Sequence, residues 1–253
     1  MPTLSRSSHA LVTGGARGIG REIAATLSRA GATVTVLGRN REALDAVVAS
    51  GLAHFAYVAD VADQAMLDGA LAEATARQPI DILVANAGAA ESAPFSKSDA
   101  ALFHRMLEVN FFGVVHATRA VLPAMTARRR GRIIAIASTA GLKGYPYVTA
   151  YAAAKHAVVG LVRSLALELA TSGVTVNAVC PGFTDTDLVA GSIDTIMSKT
   201  GRSRDAALAE LTRTNPQGRL VTPDEVADAV LWLCGAGAGA ITGQAVAVAG
   251  GEV

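Results

Sequence analysis

The strongest constraint on this chain is an alternation of element lengths. Seven short apolar runs, at residues 10–13, 33–37, 54–58, 80–85, 132–137, 174–179 and 245–249, are separated by helix-length stretches at 18–30, 41–50, 63–77, 99–126, 150–171 and 222–234. The short runs have strand length and are mostly β-branched. They read as continuous apolar segments, as strands buried on both faces do. Strand, helix and strand in repetition predict a parallel sheet with right-handed crossovers, covered by helices on both sides. The expected fold is therefore α/β: a doubly wound, parallel, seven-stranded sheet in one domain spanning residues 1–253. Its ligand crevice would lie at the carboxyl ends of the strands. Residues 184–217 are long for a strand-to-helix connection; they predict an insertion with short helices at 186–198 and 203–212, acting as a lid or binding loop.

The stretch 229–251 carries no charged residue and has Gly235, Gly239 and Gly243 at the spacing of a membrane helix-dimer motif. Thr222-Pro223-Asp224-Glu225 is a helix start, so residues 229–234 finish that helix. Residues 235–243 then read as a glycine-rich connector and 245–249 as a strand, so no membrane span is expected. A 51% hydrophobic content excludes disorder. Lys+Arg 22 against Asp+Glu 21 gives no global electrostatic case for nucleic acid. Cys180 and Cys234 are the only cysteines; they supply neither a disulfide framework nor a metal cluster, so no metal site is expected and a reducing, cytoplasmic setting fits. Residues 1–8 are polar, without the apolar core of a secretory signal.

Thr13-Gly14-Gly15-Ala16-Arg17-Gly18-Ile19-Gly20 lies between the first strand and the first helix. Glycines there permit a tight turn and close approach of the backbone to a phosphate, and the free N–H groups of a helix start favour an anion. This points to a dinucleotide. The spacing of Gly14, Gly18 and Gly20 is G-x-x-x-G-x-G, unlike the commoner G-x-G-x-x-G. An acid about 20 residues beyond such a turn would hold a ribose 2′-hydroxyl. Here Arg39 stands nineteen residues after Gly20. A guanidinium suits a 2′-phosphate, and Arg17 can reach the same group, so NADP(H) is preferred with NAD(H) remaining open.

Tyr151 and Lys155 are spaced i, i+4 on one helix face. An ammonium near a phenol favours the phenolate and would lower the Tyr151 pKa, making it a general acid or base. Ser138 closes the strand at 132–137, where its hydroxyl can hold a carbonyl oxygen beside Tyr151. Asn110 stands inside the long apolar helix, a costly place for an amide.

With these residues in order, the sequence resembles the short-chain dehydrogenase/reductase family. The marks are the glycine loop Thr13-Gly14-x-x-x-Gly18-x-Gly20, the strand end Asn86-Ala87-Gly88, the tetrad Asn110, Ser138, Tyr151 and Lys155, then Pro181-Gly182 with Thr186. The resemblance runs from about residue 10 to 251 and implies a Rossmann-like fold. It implies that Tyr151 protonates a carbonyl oxygen while a reduced nicotinamide delivers hydride, and that Lys155 binds the nicotinamide ribose. Ser138 would orient the carbonyl, and Asn110 would hold a water linking Lys155 to solvent. Asp60 and Val61 would hold the adenine, Asn86, Ala87 and Gly88 would pass beneath its ribose, and Thr186 would touch the carboxamide. Ala85 replaces an asparagine that many members carry, which puts one backbone support in doubt.

The implied substrate is a small carbonyl compound or its alcohol. The stretch 177–183 and the turn 151–160 look most like 3-oxoacyl thioester reductases and polyketide ketoreductases, whose substrates are tethered to coenzyme A or a carrier protein. Arg128-Arg129-Arg130 would meet a phosphate or an acidic carrier, or simply close a helix C-terminus. Family members of the carrier type often have a second basic residue near Ser172; its absence shifts the weight toward coenzyme A or a free ketone. Phe183, Leu188, Tyr145 and Tyr147 are candidate pocket walls. The family pairs its long apolar helices across two-fold axes, so a homotetramer is expected. The alternatives are an NAD-dependent secondary alcohol dehydrogenase of the same family and a non-catalytic dinucleotide-binding sensor or scaffold. A lyase or epimerase would need a longer C-terminal substrate region than this chain has.

Overall fold

The computed structural model describes Leu4 and residues 7–253, so most of the polar stretch 1–8 lies outside the described residues. Seven strands form one parallel sheet: β1 (His9–Thr13), β2 (Thr33–Gly38), β3 (Phe55–Val58), β4 (Ile82–Ala85), β5 (Gly131–Ile136), β6 (Val174–Pro181) and β7 (Ala245–Val248), in the order β3-β2-β1-β4-β5-β6-β7. The order reverses between β1 and β4, where Leu11 pairs with Leu83. That is the switch point at which such a sheet opens a crevice.

Within a strand, successive side chains enter different cores. Leu11 joins one cluster while Ala10 and Val12 join the other; Leu83 and Ala85 oppose Ile82 and Val84 in the same way. Both faces are thus apolar, which is why the strands read as continuous runs. One face is covered by α1 (Gly18–Arg29), α2 (Arg41–Ala49) and α9 (Pro223–Cys234). The other is covered by α3 (Gln64–Arg77), α5 (Gly113–Ala127) and α6 (Thr149–Glu168). The α9 start is a capping box: Glu225 N–H donates to the Thr222 hydroxyl and Thr222 N–H to the Glu225 carboxylate, with Pro at the first position. Losing such a cap costs about 1 kcal/mol.

The helix expected at 99–126 is not continuous. It divides into α4 (Ala100–Leu107), a π-helical turn over Glu108–Phe112 and α5. The wider turn contains the buried Asn110 and lets its amide leave the helix axis. Periodicity alone does not distinguish five residues of π from α geometry. The insertion carries α7 (Asp187–Thr200) and α8 (Arg204–Thr212), close to the expected bounds. The uncharged stretch splits as expected into the end of α9, a connector and edge strand β7. No helix among the described residues is long and apolar enough to cross a membrane.

Candidate active site

The carboxyl ends of β1, β4, β5 and β6 bring the site together. After β1, Gly14 has φ +65 and begins the glycine turn. A Cβ on Gly20 would lie 2.3 Å from the Gly14 carbonyl, so the helix can start this close to the turn only without a side chain. The Asn86 amide donates to the carbonyls of Thr13 at 3.0 Å and Gly14 at 3.2 Å. The Thr13 hydroxyl accepts from the N–H groups of Asn86 and Ala87, each at 3.0 Å. Asn86 therefore braces the glycine turn, and Ala85 ends β4 without taking part in that brace.

These residues fit a dinucleotide. At α1 the N-cap is Arg17, with no side-chain cap, no acid in the first turn and Ile19 packed toward the core. α2, α3, α4, α8 and α9 are all capped by a side chain. α6 and α7 also lack a side-chain cap; at α1 the open N–H groups adjoin the glycine turn, where an anion could meet them. Thr186, at the start of α7, stands opposite: its Cγ2 is 3.3 Å from where a Gly18 Cβ would be. Beyond β2 and β3, the exposed Arg39 reaches Asp60 at 3.6 Å. The Asp60 carboxylate accepts from Ala62 N–H, while the Val61 side chain turns inward, against Gly113. The Val61 side chain is thus part of the packing, and its carbonyl lies 3.3 Å from His116 Nδ1.

The tetrad residues converge, with differences from expectation. Ser138, just past β5, stands close enough to Tyr151 to act on its phenol, and its hydroxyl accepts from Ala140 N–H at 3.1 Å. Lys155 is buried, and its ammonium donates to the Ile136 carbonyl at 2.8 Å. It stands 5.7 Å from the centre of the Tyr151 ring. Burial pushes Lys155 down to about 8, and burial raises Tyr151 above its ordinary 10 against the opposing pull of the Ser138 hydrogen bond. With no cofactor beside it, burial sets the direction of the Tyr151 phenol, and the Lys155 ammonium is directed at the Ile136 carbonyl.

Asn110 is fully enclosed and fully bonded. Its Nδ2 donates to the carbonyls of Ala89 at 2.9 Å and Met106 at 3.0 Å, and its Oδ1 accepts from Ala89 N–H at 3.2 Å. A Cβ on Gly88 would fall 2.8 Å from Asn110 Oδ1 and 3.6 Å from Lys155 Nζ, so the loop after β4 passes between them only as glycine. The Asn110 side-chain amide is thus engaged by the loop and the preceding helix turn. Pro181 ends β6 and Gly182 follows, against Ala249.

This set of parts, a bare helix start at a glycine turn beside a converged Ser138, Tyr151 and Lys155, is matched over residues 8–197 by the family model for short chain dehydrogenases. The chain belongs to the short-chain dehydrogenase family. It is therefore an oxidoreductase acting on CH–OH or carbonyl groups. A Streptomyces coelicolor protein named as a ketoacyl reductase is 39% identical over 252 residues, 97% of each chain. A single-residue variant of the actinorhodin polyketide ketoreductase, solved with NADPH, superposes with a TM-score of 0.93 at 38% identity, covering 99% of this chain and 98% of that one. A gluconate 5-dehydrogenase from Burkholderia cenocepacia, solved with NADP and tartrate, gives 0.90 at 33% identity, covering 99% and 96%.

Other candidates from the sequence divide. The Tyr145 ring meets Phe183 edge-on at 6.1 Å, on the site side. Tyr147 is exposed with φ +68, a strained backbone for a bulky residue, and its carbonyl accepts from Ala93 N–H; Leu188 is exposed at the start of α7. Arg128, Arg129 and Arg130 lie at the opposite, amino end of the strands. There Arg128 and Arg130 flank Asp81 at 3.4 and 3.6 Å, and Arg129 donates to the Thr171 carbonyl at 2.9 Å. Their role at the helix end is to tie strand starts together.

Proposed function

We propose that the protein is an NADP(H)-dependent carbonyl reductase that reduces a ketone to a secondary alcohol, or runs the reverse. The observation that carries this reading is the convergence of the Ser138 and Tyr151 hydroxyls with buried Lys155 beside the braced glycine turn. A bound nicotinamide would supply or accept the hydride. Gly14, Arg17, Gly18, Ile19 and Gly20 would hold the cofactor's phosphates, and Arg39 its 2′-phosphate. Asp60 and the Val61 main chain would border the adenine. Asn86, Ala87 and Gly88 would follow its ribose, and Pro181, Gly182 and Thr186 would flank the nicotinamide.

Ser138 and Tyr151 would place two hydroxyls on one substrate oxygen. Tyr151 would give its proton to that oxygen as the alkoxide develops, since a phenol held above its ordinary pKa is fully protonated at neutral pH. Lys155 would bind the nicotinamide ribose and help return a proton to Tyr151. Asn110 would act by fixing the Ala89 loop that borders this space. The NADPH of the actinorhodin ketoreductase structure and the NADP of the gluconate 5-dehydrogenase structure support the cofactor preference. The substrate reading favours a free or coenzyme A-linked ketone, because the three arginines that would meet a carrier are engaged at the far end of the sheet. A homotetramer is the assembly we propose.

The experiment is NADPH oxidation followed by absorbance with a panel of ketones that includes acetoacetyl-CoA. Turnover lost in Tyr151→Phe with NADPH binding retained supports the reading. NADPH binding without turnover on the whole panel would favour a sensor instead.

A further inference from the structure

Glu252 is the first charge after the uncharged stretch 229–251, and its side chain is 1% exposed. A buried carboxylate must be paired. Its Oε1 accepts from the Tyr145 hydroxyl at 2.5 Å and lies 3.1 Å from the Lys143 ammonium, which also donates to the Glu252 main-chain carbonyl at 3.2 Å. Tyr145 has one hydroxyl proton, and the carboxylate, being charged, takes it. Thr139, with its hydroxyl 2.7 Å from that of Tyr145, is then the donor to Tyr145. A directed chain runs from Thr139, next to Ser138, through Tyr145 to Glu252.

The tail reaches this place by a tight reversal after β7. Gly250 and Gly251 have φ of +61 and +93, and Glu252 N–H donates to the Ala249 carbonyl at 3.2 Å. A Cβ on Gly250 would lie 2.0 Å from Asn215 Oδ1, the atom that accepts from Gln217 N–H at 2.8 Å. A Cβ on Gly182 would lie 3.2 Å from Glu252 Oε2. The carboxylate thus holds the segment after Ser138 and packs on the loop after β6, while the glycine reversal that carries it packs on Asn215 at the foot of the α7–α8 insertion.

We infer that Glu252 is a positioning residue for the substrate pocket: it fixes Tyr145 against Phe183 and holds in place the glycine reversal that packs on the α8 end of the insertion, setting the space that faces Ser138 and Tyr151. This rests on the ketone-reductase reading above. Glu252 makes no contact with Ser138, Tyr151 or Lys155 in the hydrogen bonds described, so its effect falls on how a substrate is held and not on the proton it receives.

The test compares wild type, Glu252→Gln and Tyr145→Phe. Glu252→Gln keeps the shape and removes the charge; Tyr145→Phe cuts the same chain at a half-buried ring and supplies a second, separate variant. With NADPH and a bicyclic aryl ketone such as α-tetralone, both variants are expected to raise KM by about tenfold or more while kcat stays within roughly threefold. The Kd for NADPH is expected to stay unchanged, and the double variant to be no worse than either single. Amide hydrogen exchange at residues 143–147 and 212–218 is expected to quicken in Glu252→Gln. Unchanged exchange there overturns the proposal, and so does faster exchange with KM unchanged, which would leave Glu252 a purely structural residue. If the wild type reduces no ketone, the ketone-reductase reading fails by itself, and exchange still decides whether Glu252 holds these segments.

Discussion

Lys155 points its ammonium at the Ile136 carbonyl, 2.8 Å away, and offers Tyr151 only the flank of its charge, 5.7 Å from the ring centre. In the cofactor-free protein the phenol is thus governed by burial and by Ser138. A spectrophotometric titration of wild type minus Tyr151→Phe should show the Tyr151 phenolate appearing only above pH 10. A difference signal near neutrality would contradict this geometry. The same variant should lose at least about a thousandfold in kcat, within the range expected when a general acid is removed.

Arg39 is exposed, and Asp60 is its one ion-pair partner among the described residues, so a 2′-phosphate would find it available. Arg39→Ala should lower the NADPH-to-NADH ratio of kcat/KM by about ten- to a hundredfold, since a hydrogen bond to a charged group contributes roughly 1.5–3 kcal/mol. The ratio staying constant would remove Arg39 from cofactor selection.

Asn110→Ala should destabilise the fold by about 1–3 kcal/mol, because it strips the Ala89 N–H and carbonyl of their partners inside the protein. Urea midpoints measure it. Activity should fall with the disordered loop, whereas a role confined to holding water would leave the midpoint in place.

His9 gives a pH signature remote from the active site. It is buried, with Nδ1 2.7 Å from the Gln78 carbonyl and Nε2 2.8 Å from the Thr35 hydroxyl. Burial lowers its pKa below 6.5, although the Gln78 carbonyl and Asp81 pull the other way. The unfolded chain therefore binds the proton more readily than the folded one. The contribution is fully present above pH 6.5 and is lost as pH falls through the lower folded-state value. His9→Gln should flatten the change in urea stability between pH 7 and pH 5. An unaltered slope would place the titration elsewhere.

Much of this was legible in advance because strand length and doubly apolar patterning are local properties. The seven strands, α7 and α8 all appear close to their expected bounds. Ser138, Tyr151 and Lys155 were legible as a set because strand ends and a helix face have fixed periodicities. The π turn at Glu108–Phe112 was not, since it goes with a tertiary bond from Asn110 to Ala89, 21 residues away. Val61 turning onto Gly113 was hidden for the same reason. The arginine triplet looked like a surface patch until β4 placed Asp81 between its members. Glu252 left one faint signal, a lone charge closing an uncharged stretch, and nothing in the chain announces that Tyr145 is its partner.

The two ends of the sheet are made of different materials. At the amino ends, Asp81, Arg128, Arg130 and His9 knit strand starts through bonds that any ligand leaves untouched. At the carboxyl ends, most of the residues proposed to meet ligands sit on connections or in the first turns of helices. A laboratory that wishes to change the substrate of the proposed reductase can randomise residues 143–147 and 184–217 while the opposite rim goes on specifying which strand lies beside which.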